Sequence, residues 1–198
     1  MSVARIEVLE PVVRMSIPRR TTAPLLDGLS GRRVGYHHAR GPYLQVAGFA
    51  ERLGELLERR FGVREMVRLK SIVDNGAAGW SDPDLPRVTE RVYDEYARRV
   101  DCVVVGAAFC GGSTYWSTHA CCELQDRGVP TVLLVSNAFK DLSEYTCRSR
   151  GYDEIPFLVL PDDFESKRPD ELARLAELHV DELVSRLARR GALATAAR

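Results

Sequence analysis

Asp101-Cys102-Val103-Val104-Val105-Gly106-Ala107-Ala108-Phe109-Cys110-Gly111-Gly112-Ser113-Thr114-Tyr115-Trp116-Ser117-Thr118-His119 is the stretch whose reading decides the fold. A charged residue is followed by an apolar run over 102–109, then a cysteine, two glycines and a Ser-Thr pair, after which helical spacing begins. The pattern predicts a buried strand, a tight turn and a helix start, with Ser113 or Thr114 capping a helix over about 114–127. It places Cys110 in the turn, beside unpaired backbone N–H groups at the positive end of a helix. Both features favour the thiolate, which is the nucleophilic form of cysteine. Against this stands the commonest fate of a free cysteine, which is inert burial.

Outward from this unit, apolar runs alternate with helical patterns. Residues 33–37 read as a first strand after a Ser-Gly-Arg turn. Residues 44–61 carry Val46, Phe49, Leu53, Leu56 and Leu57 at helical spacing, and 65–69 form a second strand. A Gly-rich loop at 75–80 and a Ser-Asp-Pro turn precede a helix over 88–100 with Val92, Tyr93, Tyr96 and Val100 on one face. Beyond the central unit come a fourth strand over 129–135, a helix over about 138–150, a fifth strand over 157–160 and a long helix over 169–190. The fourth strand is nearly all apolar, as a strand covered on both faces must be. Five strands alternating with helices predict a doubly wound parallel α/β sheet with right-handed crossovers, in the order 2-1-3-4-5. Residues 1–27 form an arm or edge strand packing on the body or on another subunit. Residues 28–190 form one α/β domain, and the alanine-rich 191–198 a frayed tail.

In such sheets ligands bind outside the carboxyl ends of the strands, near the point where strand order reverses. The candidate catalytic residues are therefore Cys110, His37 and His38 after the first strand, and His119 within the helix that follows the turn. Gly111, Gly112, Ser113, Thr114, Arg40, Lys70 and Asn137 are the candidate substrate-binding residues. The two glycines allow close backbone approach, and the turn amides can hold an oxyanion or carboxylate beside the thiolate. Any of the three histidines can serve as the base. Phe109, Tyr115 and Trp116 wall a pocket or belong to the core. Asp162 and Asp163 read as a solvated loop or helix cap, and His179 as surface or packing.

The totals exclude several classes. The chain has 198 residues, 28 Lys plus Arg and 28 Asp plus Glu, for a formal net charge of zero. That balance exerts no general pull on nucleic acid or anionic membrane. No apolar run approaches the roughly 18 residues of a membrane span, and the N-terminus lacks a signal-peptide pattern, so the expected location is cytoplasmic. The five cysteines lack zinc-ligand spacing. The turn is neither GxxxxGK[ST] nor GxGxxG, so no metal and no cofactor are expected. Cys102, Cys121 and Cys122 fit core packing, and Cys147 fits either role. Cys110 and Ser113 form Cys-x-x-Ser rather than Cys-x-x-Cys, which suits nucleophilic or acid/base work better than an internal redox pair.

From about residue 25 to 163 the chain resembles the UGSC family of (seleno)proteins, which are related to the selenoprotein B subunits of glycine, betaine and sarcosine reductases. The resemblance is carried by Leu26-Asp27-Gly28-Leu29-Ser30-Gly31-Arg32-Arg33-Val34-Gly35, by Val103-Val104-Val105-Gly106 entering the turn, and by Trp116-Ser117-Thr118-His119. Glu123-Leu124, Arg127-Gly128-Val129-Pro130-Thr131-Val132 and Asn137-Ala138-Phe139 extend it. It implies a flavodoxin-like fold and places Cys110 at the position the family fills with selenocysteine or cysteine. Gly112 and Ser113 stand where the family has Ser and Cys, so the second thiol is missing. The expected function is a cysteine-dependent enzyme acting on a small anionic or carbonyl-bearing metabolite by covalent addition or elimination, of lyase, hydratase or transferase type. An isomerase or racemase is conceivable. The alternative is a thiol-dependent reductase or a thiol carrier subunit forming mixed disulfides with a partner protein. The expected partners are a small-molecule substrate and a second copy in a homodimer.

Overall fold

A computed structural model describes residues 16–38, 44–76 and 82–189. Its five strands are β1 (Arg33–His37), β2 (Glu65–Leu69), β3 (Cys102–Ala108), β4 (Thr131–Ser136) and β5 (Phe157–Leu160). All pairings are parallel, in the order β2-β1-β3-β4-β5, as the alternation predicts. The helices are α1 (Leu44–Phe61), α2 (Leu85–Arg99), α3 (Gly111–Asp126), α4 (Lys140–Ser149) and α5 (Pro169–Leu187). This is a flavodoxin-like doubly wound sheet.

Two cores flank it. On one face Phe49, Leu53 and Leu57 of α1 pack with Leu172, Val180 and Leu187 of α5 over Val34, Val104 and Leu134. On the other, Val92, Tyr93 and Tyr96 of α2, Ala120, Cys121 and Leu124 of α3 and Cys147 near the end of α4 cover Val103, Val105 and Leu133. Successive residues of a strand point to opposite faces, so β3 and β4, covered on both, are buried throughout. The β3–β4 register slips between Val105 and Ala108. There the chain passes so close to β4 that a Cβ on Gly106 would meet Leu134 Cβ at 2.6 Å, a distance only glycine tolerates.

Residues 16–27 are mostly exposed and touch the body at Arg20, Ala23 and Leu26. The Arg20 N–H donates to the Gly151 carbonyl at 2.8 Å and Ala23 N–H to Gln125 Oε1 at 2.5 Å. Leu26 bridges the end of α5, its N–H donating to Leu187 and its carbonyl accepting from Arg189. Arg20 adds an ion pair with Asp126. No helix among the described residues is long and apolar enough to cross a membrane.

Candidate active site

β3 ends at Ala108, and Cys110 caps α3 from an extended conformation, φ −147° and ψ 163°. The helix begins at Gly111, three residues earlier than the sequence predicts, and this corrects the cap assignment. Two consecutive glycines look like a loop, because glycine is a poor helix former. The side chains of Cys110 and Ser113 supply what the glycines lack. Ser113 N–H donates to Cys110 Sγ at 3.4 Å, while Ser113 Oγ accepts from the Cys110 N–H at 3.1 Å, a reciprocal capping box. Ser113 Oγ also accepts from the Phe109 N–H at 3.2 Å, lies 3.1 Å from the Cys110 carbonyl, to which it can donate, and 3.1 Å from Cys110 Sγ. Ser113 is therefore turned inward and committed to the turn. Thr114 is buried too, its N–H donating to the Cys110 carbonyl at 2.9 Å. Neither side chain is open to a substrate, contrary to expectation. Gly111 and Gly112 are exposed, and as the first two helical residues their N–H groups have no acceptor within the helix.

Cys110 is half-buried, whereas Cys102, Cys121, Cys122 and Cys147 are all buried. Burial pushes the Cys102 thiol up to about 12 and the Cys121 thiol well above its usual range. Cys147 is raised as well, first by its hydrogen bond with Cys122 and then by burial. These four are core thiols, so Cys110 alone combines access with a helix start.

The two adjacent histidines part company across the sheet. The side chain of His37 points to the α2 face, with the Tyr93 and Tyr96 rings edge-on at 5.8 Å each. It is completely buried. Its Nδ1 lies 3.3 Å from the Leu69 carbonyl, and a carbonyl only accepts, so Nδ1 carries the proton. Nε2 then offers its lone pair to the Tyr93 hydroxyl at 3.3 Å. Burial pushes this imidazole down to about 4, and with both nitrogens occupied it holds the β1–β2 edge rather than facing a ligand. Tyr36, one residue earlier, packs on the α1–α5 core, as does Cys110. By alternation His38 leaves the strand on that same side. Burial, then the charge of Arg68, holds it near 4; the Arg68 backbone pairs with Tyr36. Of the two, His38 shares a face with the thiol. Inward–outward parity along the first strand was the signal that separates them.

His119 lies elsewhere. It is nine residues beyond Cys110 on one helix, a rise of about 13 Å, too far to touch the thiol. It lines a cleft of about 470 Å³ between α2 and α3, together with Leu85, Tyr115, Trp116, Glu123 and Arg150. Its Nε2 is 3.7 Å from Glu123 Oε1, and Glu123 is also gripped by Arg127 at 2.9 Å and by Arg150. Burial and the Arg150 charge keep the ring neutral, near 4. Sequence reasoning missed this charged cluster; its signal was the i,i+4 spacing of residues 119, 123 and 127 on one helical stripe.

Lys70 and Asn137 are exposed just past β2 and β4, at the carboxyl edge of the sheet. Arg40 lies outside the described residues. Asp162 caps the 3-10 turn after β4, accepting from Ala138 N–H at 2.6 Å, and Asp163 pairs with Lys167. No group of three or more metal-ligating side chains occurs among the described residues.

Fold and turn together define a flavodoxin-like α/β protein with a single accessible cysteine capping the helix after its central strand. The chain belongs to the UGSC family, whose family model matches residues 7–189. That span contains the stretch of resemblance seen in the sequence and extends past it at both ends. No curated protein matches the chain. Among solved structures it is similar to FerB, a flavoenzyme NAD(P)H:(acceptor) oxidoreductase from Paracoccus denitrificans. The identity is 13% over 79% of this chain and 97% of that one, with a TM-score of 0.41. So distant a likeness says nothing about activity here.

Proposed function

We propose that the chain is a cysteine-dependent enzyme in which the Cys110 thiolate adds to an electrophilic carbon of a small carbonyl-bearing or anionic metabolite. The observation that carries this is the position of Cys110 Sγ. It is the accessible sulfur of the five, and it accepts a backbone N–H at the first turn of a 16-residue helix. An N–H donor and the positive end of a helix both reward negative charge on sulfur. As the S–C bond forms, an electron pair moves onto the substrate oxygen, where the exposed N–H groups of Gly111 and Gly112 would meet it. His38 is the base of this reading, because it is neutral at pH 7 and on the face that Cys110 packs against. Lys70 and Asn137, exposed at the same edge, would hold a substrate carboxylate.

The test is alkylation of the native protein by iodoacetamide between pH 5 and 9, mapped by mass spectrometry against N-acetylcysteine. Cys110 should reach its full rate by neutral pH, where the free thiol is still mostly protonated. A Cys110 rate that climbs in parallel with the free thiol overturns the reading. Loss of turnover of a small metabolite in a folded Cys110→Ala variant would then separate enzyme from carrier.

A further inference from the structure

We propose that Ser113 is a positioning residue that selects the thiolate form of Cys110 by reorienting one hydroxyl proton. The inference rests on Cys110 being the reacting group and adds what holds it ready. The count of lone pairs drives it. A serine hydroxyl has one proton and two lone pairs. Both lone pairs of Ser113 Oγ are taken, by the N–H of Phe109 at 3.2 Å and of Cys110 at 3.1 Å. The thiol proton of Cys110, with Sγ 3.1 Å away, therefore finds no vacant acceptor on that oxygen. The hydroxyl's own proton has two targets at equal range, the Cys110 carbonyl and Cys110 Sγ, each at 3.1 Å.

The two protonation states use this proton differently. With a neutral thiol it goes to the carbonyl, the stronger acceptor. When the thiol proton leaves for water or a base, the hydroxyl proton turns to the negatively charged sulfur, and Ser113 N–H already points there at 3.4 Å. No proton passes from Ser113 to Cys110; one bond swings from oxygen to sulfur. The N–H bond is there in both states, but the hydroxyl bond is made to the charged form alone, and a hydrogen bond made only to the charged form favours it. In this chain serine takes the part of the missing second thiol, holding the sulfur charged rather than resolving a disulfide.

The experiment is the pH profile of Cys110 alkylation in wild type, Ser113→Ala and Ser113→Thr. The alanine variant should move the midpoint upward by about one pH unit, the scale of one charge-assisted hydrogen bond. That means a rate about tenfold slower below both midpoints, near pH 5, with the gap closing toward an unchanged alkaline plateau. The threonine variant, which retains the hydroxyl, should keep the wild-type midpoint. A purely structural role would lower the melting temperature in the alanine variant without moving the midpoint, and that result overturns the inference while leaving the reading of Cys110 intact. An ordinary thiol profile in wild type overturns both. Should the alanine variant fail to fold, the S–H stretch of Cys110 in wild type at acid pH decides, taken as a difference spectrum against Cys110→Ala. A band that keeps its position in Ser113→Cys, taken against Ser113→Cys/Cys110→Ala, supports the inference, and a band that rises there, released from donation to the Ser113 hydroxyl, overturns it.

Discussion

The Tyr93 hydroxyl and His37 Nε2 meet at 3.3 Å inside the core, with the opposite ring nitrogen of His37 on the Leu69 carbonyl. Burial of this ring disfavours the charged imidazole, so Nε2 is left as the acceptor of the Tyr93 hydroxyl proton. Folding therefore holds a group with an ordinary value of 6.5 down to about 4. The unfolded chain takes its proton near pH 6.5, and the folded chain only near 4. Between these values the unfolded state binds more protons, so the stability linked to His37 is complete above pH 6.5 and is lost as pH falls toward 4. The loss is about 3 kcal/mol. Urea unfolding at pH 7.5 and pH 4.5 measures it. His37→Leu should be less stable at pH 7.5, by about 1–3 kcal/mol for its unpaired neighbours, and should lose less on acidification than wild type. Parallel losses in the two proteins would show that another group sets the acid limit.

The five cysteines should divide one against four. Cys110 is half-buried while the other four lie wholly inside. With Ellman's reagent the native protein should release one equivalent of thiol quickly, and five only in denaturant. Cys110→Ala should abolish the fast phase. A second fast thiol in the native protein would contradict the packing of α3 and α4 against the sheet.

Much of this was legible in the sequence for a physical reason. A parallel sheet buried on both faces writes itself as uninterrupted apolar runs, and the runs at 102–109 and 129–135 show it. The strand order followed from alternation and handedness. The site was harder. Gly111-Gly112 has the composition of a loop, which hides the start of α3, and what makes it helical is a hydrogen-bond exchange between Cys110 and Ser113 that composition does not reveal. His37 and His38 looked equivalent, since sequence gives their alternation but not which helix covers which side. Tyr93 and Tyr96 were visible as one apolar stripe, yet only the packing of α2 on β1 shows that the stripe ends on a histidine.

Gly106 should not tolerate even a methyl group. A Cβ there would sit 2.6 Å from Leu134 Cβ and 3.0 Å from its Cγ. Gly106→Ala must separate β3 from β4 in a core with no slack, at a cost of about 1–3 kcal/mol. Leu134→Ala should not relieve it, because alanine keeps the Cβ that makes the closest contact. The double variant should therefore be no more stable than the sum of the single losses. Urea unfolding of the three variants tests this, and rescue by Leu134→Ala would show that the limit is the outer part of the leucine side chain.

Gly151 holds the arm down. It has a φ of +90°, and a Cβ there would lie 2.2 Å from the Pro18 carbonyl oxygen. Backbone and arm both exclude a side chain, so Gly151→Ala must lift residues 18–20 and break the bond from the Arg20 N–H to the Gly151 carbonyl. The Arg20–Asp126 ion pair is part-exposed and worth under about 1 kcal/mol, too little to keep the segment seated. The five-strand pairing does not include this contact. Limited trypsin digestion should therefore cut after Arg19 or Arg20 at least several-fold faster in Gly151→Ala than in wild type. The product should keep the circular dichroism of the α/β body. Equal cleavage rates would mean that the arm is held by its contacts at Gln125 and Leu187 alone, and the Ala23 N–H to Gln125 Oε1 bond would then be the contact to remove next.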